Sequence, residues 1–138
     1  MKELIEAARK SREYAYAPYS KFKVGAAVLD KNGKIFTGCN VENVSYGLSN
    51  CAERTAIFKA VSEGSLELTA IAVVADTEKP VAPCGACRQV MSEFGINKVI
   101  MSNLEDNEYV VTLQELLPYS FEEKYLSGEK NNGSKKRS

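Results

Sequence analysis

The sequence lacks several features that define common classes of protein. None of its 138 residues is histidine, and its formal net charge is zero. The missing histidine excludes imidazole as a metal ligand or catalytic base, and the zero charge gives no general attraction to nucleic acid or membrane. No run approaches the roughly 18 apolar residues of a membrane-spanning helix, and the acidic N-terminus is unlike a secretory signal. We therefore expect a cytoplasmic protein without membrane or nucleic-acid partners, in which thiols stay reduced.

The remaining composition is that of an ordinary globular domain. Hydrophobic residues make up 44% of the chain and charged residues 26%, and a chain of this length has room for one sizeable core. We predict one folded domain over residues 1–127. Residues 128–138 hold four of the basic residues and cannot bury apolar surface, so we predict a disordered basic tail there. A functional basic tail is the alternative.

Hydrophobic spacing divides the chain into helical and extended segments. Asn32-Gly33 predicts a hairpin, and the apolar run 68–75 predicts a strand buried on both faces. Gly25, with the two alanines after it, predicts a close approach by another element. The pattern predicts helices over residues 2–14, 52–61, 85–94 and 113–117 and strands over residues 22–29, 35–40, 68–75, 98–101 and 109–112. This order predicts an α/β domain of three layers, α-β-α, around a mixed five-stranded sheet.

Three cysteines form the most specific pattern in the chain. Cys84 and Cys87 lie in the first turn of one predicted helix, and Cys51 directly precedes another. Thiolates are natural ligands of Zn²⁺, and two helix N-termini would stabilise their charge. Three thiols, where a structural site has four ligands, predict a catalytic site with one position left for water. The remaining cysteine, Cys39, has no paired spacing, and we interpret it as a small buried apolar residue.

Glu53 follows the first of these cysteines by two positions. A carboxylate beside a metal-activated water can accept its proton and pass it on. The alternative is an acid that complements the dipole in the first turn of a helix. The position of Glu53 after a predicted ligand favours the catalytic role.

Five segments of the chain give it a family resemblance: residues 16–22 (YAPYSKF), 24–27 (VGAA), 38–43 (GCNVEN), 51–56 (CAERTA) and 83–89 (PCGACRQ). With them the sequence resembles the small homotetrameric, zinc-dependent cytidine deaminases of pyrimidine salvage, from residue 4 to about residue 121. The resemblance implies the deaminase-like α-β-α fold and a homotetramer. It also implies hydrolytic conversion of cytidine and 2′-deoxycytidine to uridine and 2′-deoxyuridine with release of ammonia.

The same resemblance implies a role for each motif residue. Cys51, Cys84 and Cys87 would bind Zn²⁺, and water activated there would attack C4 of the cytosine ring. Glu53 would take the proton of this water, protonate N3 and later supply a proton to the leaving ammonia. The implied substrate contacts are the side chain of Phe22 and the backbone of Ala52 at the pyrimidine, Asn40 and Glu42 at the ribose 3′-hydroxyl, and Phe121 from a neighbouring subunit.

Structural alternatives exist for most of the substrate contacts. Asn40 and Glu42 could form a polar turn at the end of a strand, and Phe22 could be a core residue. Phe121 could anchor the end of the chain by local packing. Tyr46 could be a pocket or interface residue, or a half-buried tyrosine without a role in the site.

An all-thiol site raises a question of charge. Many relatives have histidine at the position of Cys51, and three thiolates with Zn²⁺ leave one net negative charge, which would hold the proton of the water more tightly. Our hypothesis is that Arg54, together with Arg88, donates hydrogen bonds to the sulfurs and offsets this charge. The alternative for Arg88 is a solvated helix arginine.

Three other functions compete with cytidine deamination. A deaminase of a modified cytosine nucleoside, such as blasticidin S, would share the zinc motifs, but Asn40, Glu42 and Phe121 favour the ordinary nucleoside. A zinc-stabilised scaffold would need neither Glu53 nor an open ligand position. RNA editing is disfavoured because residues 1–127 carry no excess of basic residues.

Overall fold

The computed structural model describes residues 1–126 as one sheet with helices on both faces. The strands are β1 (Val24–Asp30), β2 (Ile35–Cys39), β3 (Leu68–Ala75), β4 (Lys98–Ser102) and β5 (Glu108–Thr112). The helices are α1 (Lys2–Arg12), α2 (Ala52–Ser62), α3 (Gly85–Glu93), α4 (Leu113–Leu116) and α5 (Glu123–Leu126), with a 3₁₀ turn at Tyr46–Leu48. The predicted tail, residues 128–138, lies outside the described residues, and the domain boundary at residue 127 stays a prediction.

The sheet has the strand order β2-β1-β3-β4-β5. β1 is antiparallel to both β2 and β3, β3 runs parallel to β4, and β4 is antiparallel to β5. The predicted mixed sheet of five strands is therefore confirmed. β3 is its central strand, and seven of its eight residues are buried, as expected for a strand covered on both faces.

Helices cover the two faces of the sheet unequally. On one face α1 packs, and its Leu4 and Ala8 bury against the sheet residues Ala72 and Ile100. On the other face α2 and α3 share a second cluster with the opposite side of the same strands. The three layers predicted from the order of elements are present, and the thiols lie on the α2–α3 side.

Two glycines allow the helices to approach the sheet closely. A Cβ at Gly25 would lie 2.0 Å from the carbonyl oxygen of Ala8 in α1, so the predicted close approach at Gly25 is confirmed. A Cβ at Gly38 would lie 2.4 Å from the backbone nitrogen of Ala56 in α2. Gly38 therefore sets how closely the first turns of α2 rest on β2.

The predicted boundaries differ most, by two residues each, at the end of α1 (Arg12 instead of residue 14) and at the start of the first strand. We expected it to begin at residue 22, but β1 begins at Val24 because the chain makes a turn before it. In that turn Lys21 has φ +62°, a left-handed conformation that ends regular extended structure. The hairpin after β1 turns at Gly33, with φ +88°, as Asn32-Gly33 predicted. The 3₁₀ turn and α5 were not predicted, since such short elements carry too little periodicity.

Candidate active site

The three predicted zinc ligands meet at the starts of two helices. Cys51 is the N-cap of α2 and Cys84 is the N-cap of α3. The Sγ atoms of Cys51 and Cys84 are 3.8 Å apart, and those of Cys84 and Cys87 are 3.3 Å apart. All three sulfurs lie within 4.8 Å of one another. Residues 33 positions apart in sequence are thus brought together by the packing of α2 beside α3.

This donor set fits a zinc ion. In tetrahedral coordination with Zn–S bonds of about 2.3 Å, neighbouring sulfurs are roughly 3.8 Å apart, close to the separations found here. Cys87 is buried, Cys51 is half-buried and Cys84 is exposed. Cys39 is half-buried and outside the cluster, and burial raises the pKa of its thiol. The cluster therefore offers three thiols within residues 1–126, as the sequence predicted.

Arg54 contacts the cluster. Its Nη2 donates to Sγ of Cys51 at 3.4 Å, while its buried Nε has no hydrogen-bond partner in the described part of the chain. A hydrogen bond from Cys87, followed by the bond from Arg54, holds the pKa of Cys51 well below its usual value. The guanidinium therefore lies against one of the predicted ligands, and the hypothesis that it offsets thiolate charge stays a prediction.

Arg88 has a different environment from the one we expected. Its Nε donates to the carbonyl oxygen of Pro83 at 2.7 Å, and its Nη1 donates to that of Leu116 at 2.8 Å. These bonds connect the segment before Cys84 to the end of α4. Within residues 1–126, Arg88 makes no hydrogen bond to a thiolate, so the expectation was wrong. The alternative of a freely solvated side chain is also wrong, because Arg88 supports the loop that carries Cys84.

Glu53 is a buried carboxyl beside the thiols. Its exposed fraction is 5%, and it lies in the first turn of α2. Burial, with a smaller contribution from the negative charge of Cys51, raises the pKa of Glu53 to about 7. An acid that only complemented the helix dipole would gain nothing from being buried. Near neutral pH this carboxyl is present in both protonation states, as a proton-transfer group requires.

A cavity of about 270 Å³ opens beside Glu53 and Cys51. Sequence analysis predicted six of the residues in its wall, but it missed one serine and several small apolar side chains. The lining residues are Ser20, Phe22, Val24, Asn40, Glu42, Cys51, Ala52, Glu53, Val73, Val81 and Ala82. Val81 and Ala82 lie just before the PCGAC segment, which was the available sequence signal for them. Phe22 is 40% exposed, so it is not a core residue.

Asn40 and Glu42 both hold the segment that precedes β1. The amide of Asn40 accepts from the backbone N–H of Val24 at 2.9 Å and donates to the carbonyl oxygen of Phe22 at 2.7 Å. Oε1 of Glu42 accepts from the N–H groups of Tyr19 and Ser20 at 3.0 and 3.1 Å. Oε2 of Glu42 accepts from the hydroxyl of Ser20. The strand-end alternative is thus partly correct, because both side chains organise local backbone while they line the cavity.

Phe121 and Tyr46 lie outside the cavity of their own chain. Phe121 is 56% exposed, and its carbonyl oxygen accepts from Nε2 of Gln89 at 2.8 Å. Tyr46 is 75% exposed, and its ring meets that of Tyr19 edge to face with centroids 6.2 Å apart. The expected contact of Phe121 with a neighbouring subunit stays a prediction.

Helix length and polarity also bear on membrane association. Within residues 1–126, none of the helices combines the length and the apolar character needed to cross a bilayer.

Sequence comparison identifies the family. A profile described as the cytidine and deoxycytidylate deaminase zinc-binding region matches residues 1–103. A cytidine deaminase of Halalkalibacterium halodurans is 58% identical over 120 residues, which cover 86% of this chain and 91% of that protein. A cytidine deaminase of Sporosarcina psychrophila is 54% identical over 129 residues, covering 92% of this chain and 95% of that protein.

Solved structures agree with the sequence comparison. The crystal structure of a cytidine deaminase from Burkholderia pseudomallei has a TM-score of 0.84 and 55% identity, and the match covers 87% of this chain and 98% of that one. A cytidine deaminase structure from Mycobacterium tuberculosis has a TM-score of 0.76 at 40% identity, covering 88% and 96%. Because profile, sequence and structure agree over most of its length, the chain belongs to the cytidine deaminase family of zinc-dependent hydrolases.

Proposed function

We propose that this protein deaminates cytidine and 2′-deoxycytidine to uridine and 2′-deoxyuridine, with release of ammonia, in pyrimidine salvage. The observation that carries the proposal is the buried Glu53, whose pKa is raised to about 7 in the same cavity wall as Cys51. The relatives named cytidine deaminase support the substrate. A cytoplasmic location is supported by the four free cysteines, which are typical of a reducing compartment.

Cys51, Cys84 and Cys87 are the residues that would hold Zn²⁺. When bound, the ion would supply the Lewis acidity that makes water nucleophilic at neutral pH. The three side chains would bind as thiolates, and the hydrogen bond from Arg54 would reduce their combined negative charge. Arg88 would contribute by fixing the Pro83 carbonyl immediately before Cys84.

Glu53 would transfer the protons. In its ionised form it accepts a proton from the attacking water, and in its protonated form it donates to N3 of the cytosine ring. It then takes the second proton of the former water from the oxygen now bonded to C4 and supplies it to the departing ammonia as the C4–N bond breaks. A pKa of about 7 makes both directions accessible at neutral pH, and burial keeps bulk water from competing for the proton.

The remaining hydrogen-bonding capacity of Asn40 and Glu42 suits one sugar hydroxyl. One N–H of the Asn40 amide is already bonded to the Phe22 carbonyl, which leaves one donor without a partner among residues 1–126. Within residues 1–126, Glu42 accepts three hydrogen bonds out of about four that a carboxylate can accept. A hydroxyl that accepts from Asn40 and donates to Glu42 satisfies both. The 3′-hydroxyl is shared by cytidine and 2′-deoxycytidine, so this pair does not distinguish them.

The cavity favours a nucleoside over a nucleotide. Among the described residues, no lysine or arginine lines it, whereas two carboxyl groups, Glu42 and Glu53, do. A phosphate would be repelled by the carboxylate of Glu42 and would meet no cation in the wall to compensate. Phe22 offers an aromatic surface to the base, and the backbone of the buried Ala52 lies beside Glu53 to contact it.

A homotetramer would complete the site through Phe121. In this arrangement the exposed ring of Phe121 reaches the cavity of a neighbouring subunit, and the bond from Gln89 fixes its backbone. We expect Phe121→Ala to raise KM for cytidine by about tenfold through the loss of an aromatic contact, as measured by steady-state kinetics. A wild-type protein that sediments as a fully active monomer would contradict this role.

The proposed function is tested with zinc-loaded purified protein. It should convert cytidine with loss of nucleoside absorbance and release of ammonia. Glu53→Gln should keep its zinc and lose about a thousandfold or more in kcat, because the proton carrier is gone. A zinc-loaded wild type that is inert on cytidine, and indistinguishable from Glu53→Gln, would instead identify a zinc-stabilised scaffold.

A further inference from the structure

Ser20 lines the cavity and contacts two of the predicted substrate-binding residues. Its hydroxyl donates to Oε2 of Glu42 and accepts from the backbone N–H of Phe22 at 3.0 Å. We propose that Ser20 is a positioning residue for sugar recognition, because its hydroxyl decides which acceptor site of Glu42 stays open to the substrate. This inference rests on the proposed function, in which Glu42 binds the 3′-hydroxyl.

The direction of each hydrogen bond follows from chemistry. The N–H of Phe22 can only donate, so it occupies a lone pair of the Ser20 oxygen. A hydroxyl has one proton, and the carboxylate of Glu42 can only accept it. A hydroxyl that accepts one bond is also a better donor for the next. Ser20 is therefore committed to Glu42 in one orientation.

This orientation leaves a single open direction on the carboxylate. Oε1 of Glu42 accepts two backbone N–H groups, from Tyr19 and Ser20, and its two lone pairs are filled. Oε2 accepts the Ser20 hydroxyl on one lone pair, and no other group in the described part of the chain occupies its second lone pair, which remains for a substrate hydroxyl. The bond from the Ser20 side chain, with those from the backbone, lowers the pKa of Glu42 below its ordinary value, at which a carboxyl is already ionised at neutral pH.

Ser20 also connects the base-binding and sugar-binding parts of the wall. The peptide N–H of Phe22 is held by Ser20, and the carbonyl of Phe22 is held by Asn40. Between them Lys21 adopts φ +62°, an uncommon conformation for a residue with a side chain. Loss of the Ser20 hydroxyl would leave Oε2 of Glu42 unheld, while the two backbone N–H groups still hold Oε1 and Asn40 still holds the carbonyl of Phe22.

A purely structural role for Ser20, closing a turn, makes different predictions from a positioning role. Ser20→Ala should raise KM for cytidine by about tenfold, the size expected for a charge-assisted hydrogen bond, with kcat changed by less than about twofold. For 3′-deoxycytidine, which lacks the hydroxyl that Glu42 binds, Ser20→Ala should raise KM by less than about twofold. Ser20→Thr keeps the hydroxyl at an exposed position, so its KM for cytidine should equal that of the wild type. Ser62→Ala, which removes an exposed hydroxyl that donates to the Lys59 carbonyl in α2, is the matched control.

A double-mutant cycle completes the test. In a Glu42→Gln background, Ser20→Ala should have no further effect on KM, because both changes remove the same interaction. An equal loss on cytidine and 3′-deoxycytidine, or full additivity with Glu42→Gln, would overturn the positioning role. A zinc-loaded wild type inactive on cytidine would overturn the proposed function and this inference together. An active wild type that prefers cytidine to 3′-deoxycytidine, and keeps that preference in Ser20→Ala, would overturn this inference alone.

Discussion

Helices α2 and α3 both begin at a cysteine of the thiol cluster, yet the two starts have different surroundings. At the start of α2, the residues after Cys51 lie at the thiol cluster: Glu53 is buried beside the thiols, and Arg54 donates a hydrogen bond to the Cys51 sulfur. At α3 the arginine near the cysteines, Arg88, binds two backbone carbonyls. In the proposed function, the start of α2 would supply one ligand, proton transfer and charge compensation, and the start of α3 would supply two ligands and the support for their loop.

The number of residues between each N-cap cysteine and the following arginine explains why the two arginines bind different partners. Arg54 follows the N-cap Cys51 by three positions, and residues three apart lie on the same side of a helix. In α3 the residue three positions after the N-cap is Cys87 itself. Arg88 comes one residue later and is turned by about 100° around the helix axis. Two arginines with similar places in the sequence motifs thus face different partners.

The largest effect should come from removing a thiol from either helix start. Cys51→Ala and Cys87→Ala should each weaken zinc binding by more than about a hundredfold, beyond the loss typical of an outer contact. Metal content after gel filtration, measured by atomic absorption, checks this. Cys39→Ala is the matched control and should retain full zinc. A normal zinc content in Cys51→Ala would show that the start of α2 supplies no zinc ligand, which would contradict the view that both helix starts hold the metal.

The two arginines should differ when each is replaced by glutamine. Arg54→Gln should retain zinc but lower kcat by about 10- to 100-fold, because the thiolate charge is no longer offset. Arg88→Gln should leave kcat within about threefold and lower Tm by roughly 4–8 °C, since it removes two hydrogen bonds from a charged donor. Steady-state kinetics and thermal melts separate the two. Equal loss of kcat in both variants would show that the contact to sulfur is not what distinguishes them.

A smaller effect should distinguish the glycines at the two helices. Gly38→Ala would force its Cβ to within 2.4 Å of the Ala56 nitrogen and push α2 away from β2. We expect it to lower the free energy of unfolding by about 1–3 kcal/mol. Gly85→Ala, at the first position of α3, meets nothing within 4 Å and should be neutral or stabilise by up to about 1 kcal/mol. Urea unfolding of both zinc-loaded variants checks this, and a neutral Gly38→Ala would mean that α2 does not rest tightly on the sheet.

Much of the fold follows from local pattern. The apolar run 68–75 predicted a strand buried on both faces, and the order of elements predicted a mixed sheet of five strands; the structure confirms both. The start of β1 was wrong by two residues because the turn at Lys21 depends on side chains from residues 40 and 42, which are distant in sequence. No local propensity encodes a conformation that distant partners impose.

The candidate site shows a similar division. The thiol cluster was predictable because N-cap positions and a C-x-x-C spacing fix where sulfurs point. Ser20 was missed, since a serine in a polar turn looks the same whether or not its hydroxyl holds a carboxylate. Arg88 was assigned to the thiols because sequence proximity to Cys87 suggested contact, and the carbonyl of Leu116 that it binds lies 28 positions away.

The sequence by itself determined the kinds of chemistry this chain can carry out: three thiols without histidine, one adjacent acid, and two helix starts to hold them. Only the tertiary structure decided how these groups behave. Packing on the sheet buries Glu53 and raises its pKa to about 7. It also turns Arg54 toward sulfur and Arg88 toward carbonyls. The physical reason is that ionisation and hydrogen bonding depend on distance and solvent exposure, which arise only when segments remote in sequence come together.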